Sequence, residues 1–290
     1  MREHFLEVHG HRIAAIEHRS DSMRTPIILI HGITMSVRMW QPVLNPSLIE
    51  SRTWISLSLP GHFPSTAPSQ FCEPQITPTL FSDIVCKVIQ ELCGGEPVHL
   101  VGWSTGGFTA LATAIAHPEL VASVVSISGF ANGQWGHLLG FMQTLASRTW
   151  TRPLFQTIFR LLQMRQRSLQ LIIHLFAGEK KLDMQMSTEV ADAVFSDFRQ
   201  HRTTDLAMLF SALRMVSIAD QLNSIRVPVR IIGGTNDPVI PFRETRNLAD
   251  TIPNADLQPL PGIGHLFYAE DNQHVQHLLL DWIRQHSPST

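Results

Sequence analysis

Short, uninterrupted apolar runs alternate along the chain with segments whose apolar residues recur at helical spacing. The runs are Pro26-Ile27-Ile28-Leu29-Ile30 and residues 54–59, 97–101, 120–127, 227–234 and 255–260. Such runs, lacking polar alternation, mark strands covered on both faces, as in a parallel sheet. Residues 4–18 differ. Phe5, Val8, Ile13 and Ala15 follow a strand-like alternation around Gly10, which predicts two antiparallel strands at a sheet edge. Leu80, Phe81, Ile84, Val85, Val88, Ile89 and Leu92 share one helical face, closed by Gly94-Gly95, and Val275, Leu278, Leu279, Trp282 and Ile283 share another near the end. Strand-helix alternation of this kind predicts an α/β fold: a mostly parallel central sheet with helices on both faces.

One block interrupts the alternation. Between the sixth and seventh strands, residues 131–219 contain helical patterns and no convincing strand. Leu154, Phe155, Ile158, Phe159 and Leu162 share one face; Val190, Ala191, Val194, Phe195 and Phe198 share a second, with Ser187 suited to cap it; Leu206, Leu209, Phe210 and Leu213 share a third. Structureless loops of that length are rare, so the block must fold on itself or over something. The expectation is a core domain of residues 1–130 and 220–290 carrying a helical cap of residues 131–219.

The candidate chemistry sits at one corner of this pattern. Gly102-Trp103-Ser104-Thr105-Gly106 joins the run at 97–101 to a small-residue helix at 107–117. A serine on a strand-to-helix turn, with glycine two residues away on each side, is the G-x-S-x-G nucleophile elbow. The turn lifts the hydroxyl clear of the sheet and leaves the Thr105 N–H at a helix start, where donors are unpaired and partial charge is positive. Serine is a weak nucleophile and needs a base, which in turn needs an orienting group. Past the cap block, Asp237 follows the strand at 227–234 and His265 follows the last strand. Both fall beyond carboxyl ends of strands, the rim where open α/β sheets bind ligands. Ser104, Asp237 and His265 are the candidate nucleophile, acid and base, with Asp220 and Asp271 as the other candidate acids.

Composition narrows the function classes. The 290 residues are 44% hydrophobic and 16% charged, with a formal net charge of −2. There is no basic stripe to release phosphate counterions, which argues against nucleic acid as a partner. Cys72, Cys86 and Cys93 have no metal-ligand spacing, and an odd count fits a reducing compartment. The charged start Met1-Arg2-Glu3-His4 lacks a signal-peptide pattern, and the uncharged run at 120–147 is too punctuated to span a bilayer. The expectation is a cytoplasmic protein with a small-molecule substrate, no cofactor, no metal and no membrane span, as monomer or homodimer.

Four ordered motifs together resemble the α/β-hydrolase fold family, specifically its cap-bearing esterase-like members: His31-Gly32 after the third strand, Gly102 to Gly106, the Gly-Thr-Asn-Asp-Pro segment around Asp237, and Gly264-His265. The resemblance implies a Ser-His-Asp triad with an oxyanion hole made by the N–H groups of Ile33 and Thr105. It departs at Ser58, where members often carry aspartate in a supporting loop. A serine nucleophile also sets the chain apart from haloalkane dehalogenases and epoxide hydrolases, which use a carboxylate. The implied activity is hydrolysis of an ester, thioester or lactone of a small, largely apolar acyl substrate. The same triad serves C–C bond hydrolysis, acyl transfer, and cofactor-free lyase or perhydrolase chemistry, and a non-catalytic ligand receptor on this fold is a further alternative. Candidate substrate contacts are His31, Gly32, Trp103, Met142 and Phe159. Most of the cap's aromatic and methionine side chains, Phe176 among them, are expected to form its own core, with the alternative that several line an apolar acyl pocket.

Overall fold

The computed structural model describes residues 1–22 and 24–287. Its eight strands are β1 (Arg2–Val8), β2 (His11–His18), β3 (Ile27–Ile30), β4 (Trp54–Leu57), β5 (Val98–Trp103), β6 (Val121–Ile127), β7 (Val229–Gly234) and β8 (Asp256–Leu260). They form one sheet in the order β1-β2-β4-β3-β5-β6-β7-β8. The β1–β2 hairpin and the β2–β4 pair are antiparallel, and every pair from β4 through β3 to β8 is parallel. All residues of β3, β4, β5 and β7 are buried, so both faces of the sheet are covered there.

Twelve α-helices and three short 3₁₀ turns complete the described chain. After β3 come two short ones, α1 (Trp40–Val43) and α2 (Pro46–Ser51), and after β4 comes α3 (Pro78–Leu92). Pro78 sits at the first turn of α3, where its missing N–H costs nothing, and the Thr77 hydroxyl caps the Leu80 N–H. Helix α4 (Thr105–Ala116) packs on α3, β5 and β6. Beyond β7 lie α10 (Phe242–Thr251), then α11 (Phe267–Glu270) and α12 (Asn272–Gln285) after β8.

Between β6 and β7 the chain runs through five helices: α5 (His137–Ser147), α6 (Arg152–Gln163), α7 (Arg167–Phe176), α8 (Met184–Phe198) and α9 (Thr203–Leu213). It leaves and re-enters the core through a paired neck, where Gly133 N–H donates to Val216 O and Ile218 N–H to Ala131 O, both at 3.0 Å. An aromatic cluster holds the insertion together: the Phe210 ring lies 5.1 Å from Phe155, 5.4 Å from Phe159 and 5.5 Å from Trp135. Helix α8 also packs on α1 and α11, which places the insertion over loops at the carboxyl edge of the sheet. Ser187, expected to cap α8, lies one turn inside it. Asp183 is the cap, accepting the Met186 N–H at 2.9 Å, while the Ser187 hydroxyl donates back to Asp183 O. A carboxylate one turn upstream serves the helix start better than the hydroxyl, because it also meets the positive end of the dipole.

Candidate active site

Ser104 is the single residue between β5 and α4, with φ 55° and ψ −116°. Left-handed φ is strained for any residue with a Cβ, so the surrounding contacts must hold it there. A Cβ at Gly102 would overlap the Gly106 carbonyl, and one at Gly106 would overlap the Ile30 carbonyl. Only glycine permits this packing of helix start against strand end.

The structure brings the three separated side chains together. His265 Nε2 lies 3.1 Å from Ser104 Oγ, and Nδ1 lies 2.7 Å from Asp237 Oδ2. Asp237 Oδ1 accepts the N–H groups of Val239 at 2.7 Å and Ile240 at 2.9 Å, so both of its oxygens are occupied. All three residues are buried. With the carboxylate on Nδ1, the ring proton stays on that nitrogen and Nε2 is free to accept from serine. Asp271 instead pairs with Lys180 at 2.5 Å, and neither it nor Asp220 bonds His265.

A cavity opens at Ser104. Ile33, Thr34, Met35, Trp103, His265 and Tyr268 form its floor and sides, and α7 and α8 roof it with Leu169, Ile173, Phe176, Val190 and Val194. Ile33 is thus beside Ser104, and its N–H has no acceptor among the described residues. The Thr105 N–H heads α4, with no preceding turn to take it. These two donors suit a negative charge developing on an oxygen next to Ser104.

Of the candidate substrate contacts, Trp103 lies on the cavity wall and also donates its Nε1–H to the His265 carbonyl at 3.0 Å. The other four lie off it. Met142 and Phe159 are buried inside the insertion, Phe159 in the cluster around Phe210, because a bundle this small needs its large side chains for its own core. Gly32 lies against the Trp103 ring. His31 braces two loops: Nδ1–H donates to Gly32 O at 2.7 Å and Nε2 accepts the Leu59 N–H at 3.1 Å.

His31 belongs to a row of buried imidazoles. Its ring lies 5.0 Å from His62, which lies 5.2 Å from His201. His62 Nε2 accepts the Thr34 N–H at 3.0 Å, and His201 Nε2 sits 3.1 Å from Met35 O. The row therefore supports the loop that carries Ile33. Burial lowers all three, His31 to about 3, His201 to about 4 and His62 well below the ordinary histidine value.

Sequence reasoning marked the apolar face of α8 with Val190 and Val194 but did not single out the face of α7. Leu169, Ile172, Ile173 and Phe176 sit at i, i+3, i+4 and i+7, a helical signal present in the chain. Nor did it find the stitching between the insertion and the histidine loop. His265 N–H donates to Phe176 O at 2.8 Å, Glu179 N–H to Gly262 O at 2.8 Å and Asp183 N–H to Ala269 O at 2.7 Å. The Glu270 carboxylate joins Gly178 N–H (2.6 Å) to Gly264 N–H (2.9 Å). Burial raises the Glu270 carboxyl above its usual range, and these amide donors oppose the rise.

The chain is 27% identical over 272 residues to the dihydrolipoyllysine-residue acetyltransferase component of the acetoin cleaving system of Pseudomonas putida, covering 90% of this chain and 64% of that protein. The match thus spans less than two thirds of that relative's length. It is 27% identical over 270 residues to the 2-hydroxymuconate semialdehyde hydrolase of a Pseudomonas species, covering 90% of this chain and 87% of the relative. Among solved structures, the enol-lactonase from Burkholderia xenovorans superposes with a TM-score of 0.76 at 18% identity, over 97% of this chain and 99% of that one, a likeness of fold. The profile described as the alpha/beta hydrolase fold matches residues 25–272, from the first parallel strand to the start of the last helix. The protein therefore belongs to the alpha/beta hydrolase fold family.

Proposed function

We propose that the protein is a serine hydrolase acting on an ester, thioester or lactone with a small, largely apolar acyl group, through an acyl-enzyme on Ser104. The observation that carries this reading is the unbroken hydrogen-bond chain from Asp237 through His265 to Ser104, ending at an apolar cavity. His265 Nε2 takes the Ser104 proton as Oγ attacks the carbonyl carbon. The N–H groups of Ile33 and Thr105 receive the oxyanion, each such donor being worth about 3 kcal/mol. Asp237 stabilises the imidazolium, which returns the proton to the leaving alcohol or thiol. Water then attacks the acyl-enzyme with His265 again as base, freeing the acid and restoring the serine. Residues 131–219 act as the cap, and the apolar faces of α7 and α8 select the acyl group.

Two measurements test this. Ser104→Ala should lower kcat on a p-nitrophenyl ester by roughly a thousandfold or more while leaving the fold intact. Near-normal turnover by that variant would remove Ser104 from the mechanism. In a series of acyl lengths, medium chains should surpass acetate in kcat/KM, because each buried methylene adds transfer energy in an apolar cavity. A series that peaks at acetyl would refute the acyl-pocket assignment.

A further inference from the structure

The residues lining the cavity beside Ser104 are mostly hydrocarbon, which makes each polar residue among them informative. The polar side chains there are Thr34, Ser104, His265 and Tyr268. Ser104 and His265 are bonded to one another. Tyr268, the only tyrosine in the chain, is fully buried, and its hydroxyl has no hydrogen-bond partner among the described residues.

The ring that carries this hydroxyl is held in place. Tyr268 lies in α11, three residues past His265, and its ring meets Trp103 edge-on at 5.8 Å and Phe267 edge-on at 5.7 Å. The Asp183 N–H from the insertion donates to the carbonyl of the next residue, Ala269, at 2.7 Å. Buried tyrosine hydroxyls nearly always find a partner, and phenylalanine would fill the same space with no polar atom to satisfy. Burial, with the Glu270 carboxylate nearby, pushes the Tyr268 hydroxyl above the usual tyrosine range, so it stays a neutral donor.

Resting on the serine-hydrolase reading, we infer that the Tyr268 hydroxyl is a hydrogen-bonding subsite of the acyl chamber, taking acyl groups with an uncharged oxygen acceptor away from the scissile carbonyl. A ketone, ether or hydroxyl oxygen meets this description. A carboxylate does not: no lysine or arginine lines the cavity among the described residues, and an ion there would lose its hydration without gaining a counter-charge.

The test compares two sets of esters of matched length with a common alcohol: plain alkanoyl esters, and oxoalkanoyl esters with the ketone moved along the chain. Binding of the methyl esters is read by calorimetry on the Ser104→Ala protein with and without Tyr268→Phe. Turnover of the p-nitrophenyl esters is read on the Ser104 protein with and without the same change. At one ketone position the oxo ester should be favoured about five- to tenfold over its alkanoyl partner, the range of one net neutral hydrogen bond. Tyr268→Phe should bring that ratio to about one in both readouts, whatever happens to absolute rates. An unchanged ratio in the phenylalanine variant would overturn the subsite. So would a half-ester of a dicarboxylic acid that binds as well as the best oxo ester. Turnover retained by Ser104→Ala would instead overturn the catalytic reading, and the binding ratio would still judge Tyr268.

Discussion

Replacing Asp237 by asparagine probes the direction of the hydrogen-bond chain, because its two carboxylate oxygens face different kinds of partner. Oδ1 accepts two amide N–H bonds, from Val239 at 2.7 Å and Ile240 at 2.9 Å, and Oδ2 accepts one from His265 Nδ1 at 2.7 Å. Asparagine must keep its oxygen on the amide pair. The flipped side chain would turn its NH2 against two buried N–H donors and leave both unpaired, at about 1–3 kcal/mol each. With the oxygen so placed, the NH2 faces Nδ1 and makes that nitrogen an acceptor. The ring proton then moves to Nε2, 3.1 Å from Ser104 Oγ, and a protonated Nε2 cannot take the serine proton. The expected fall in kcat is about 10⁴-fold, as a wrong tautomer causes in a serine protease, or roughly 5 kcal/mol of barrier. The assay is hydrolysis of a p-nitrophenyl butyrate ester at neutral pH, beside a melting curve that verifies the fold. The rate of Ser104 labelling by a fluorophosphonate should fall in parallel. A folded variant whose kcat stays within about tenfold of wild type would refute the assignment of Asp237 as orienting acid.

Two further outcomes follow from the packing and from the histidine row. Phe210→Ala removes the ring at the centre of the insertion's aromatic cluster, which is wholly buried, and should cost about 3–5 kcal/mol in urea unfolding. A loss below about 1 kcal/mol would mean that the cluster is not packed as described. For the histidines the sign is set by folded values below the unfolded one. The unfolded chain takes up protons near pH 6.5, whereas His201 and His31 resist until about 4 and about 3. Their contribution to stability is therefore full above about pH 6.5 and is lost as pH falls toward about 4, at up to about 1.4 kcal/mol per histidine per pH unit. Urea midpoints should drop across that window, and His201→Asn should flatten the drop. Midpoints that are level through the window would contradict the neutral burial of the row.

Much of the architecture was legible because local rules and the fold agree. Apolar runs such as Ile27–Ile30 can be buried on both faces only in a covered parallel sheet, and the strands appear within a few residues of where the pattern places them. The elbow was legible for a stronger reason: no residue but glycine fits at 102 and 106, so steric demand is written directly into the chain. Candidate residues Ser104, Asp237 and His265 could be named because each follows a strand, and parallel topology gathers strand ends on one rim.

Within the insertion the same reasoning stopped short. Helical periodicity distinguishes an apolar face from a polar one, but it does not say whether that face meets another helix or a cavity. Phe159 and Ile173 carry the same local signal. Only tertiary packing sends Phe159 into the cluster around Phe210 and Ile173 to the cavity above Ser104. The row of His31, His62 and His201 is likewise invisible in sequence, since its members come from three distant segments and their low values arise chiefly from burial, with the neighbouring imidazoles adding to it at His31 and His62. The chain by itself determined the alternating layers, the glycine-flanked corner and the order of its polar candidates, all of them short-range requirements. Which apolar faces enclose empty space, and whether a buried hydroxyl such as that of Tyr268 finds a partner, depend on contacts between residues far apart in sequence, and only the folded arrangement decided them.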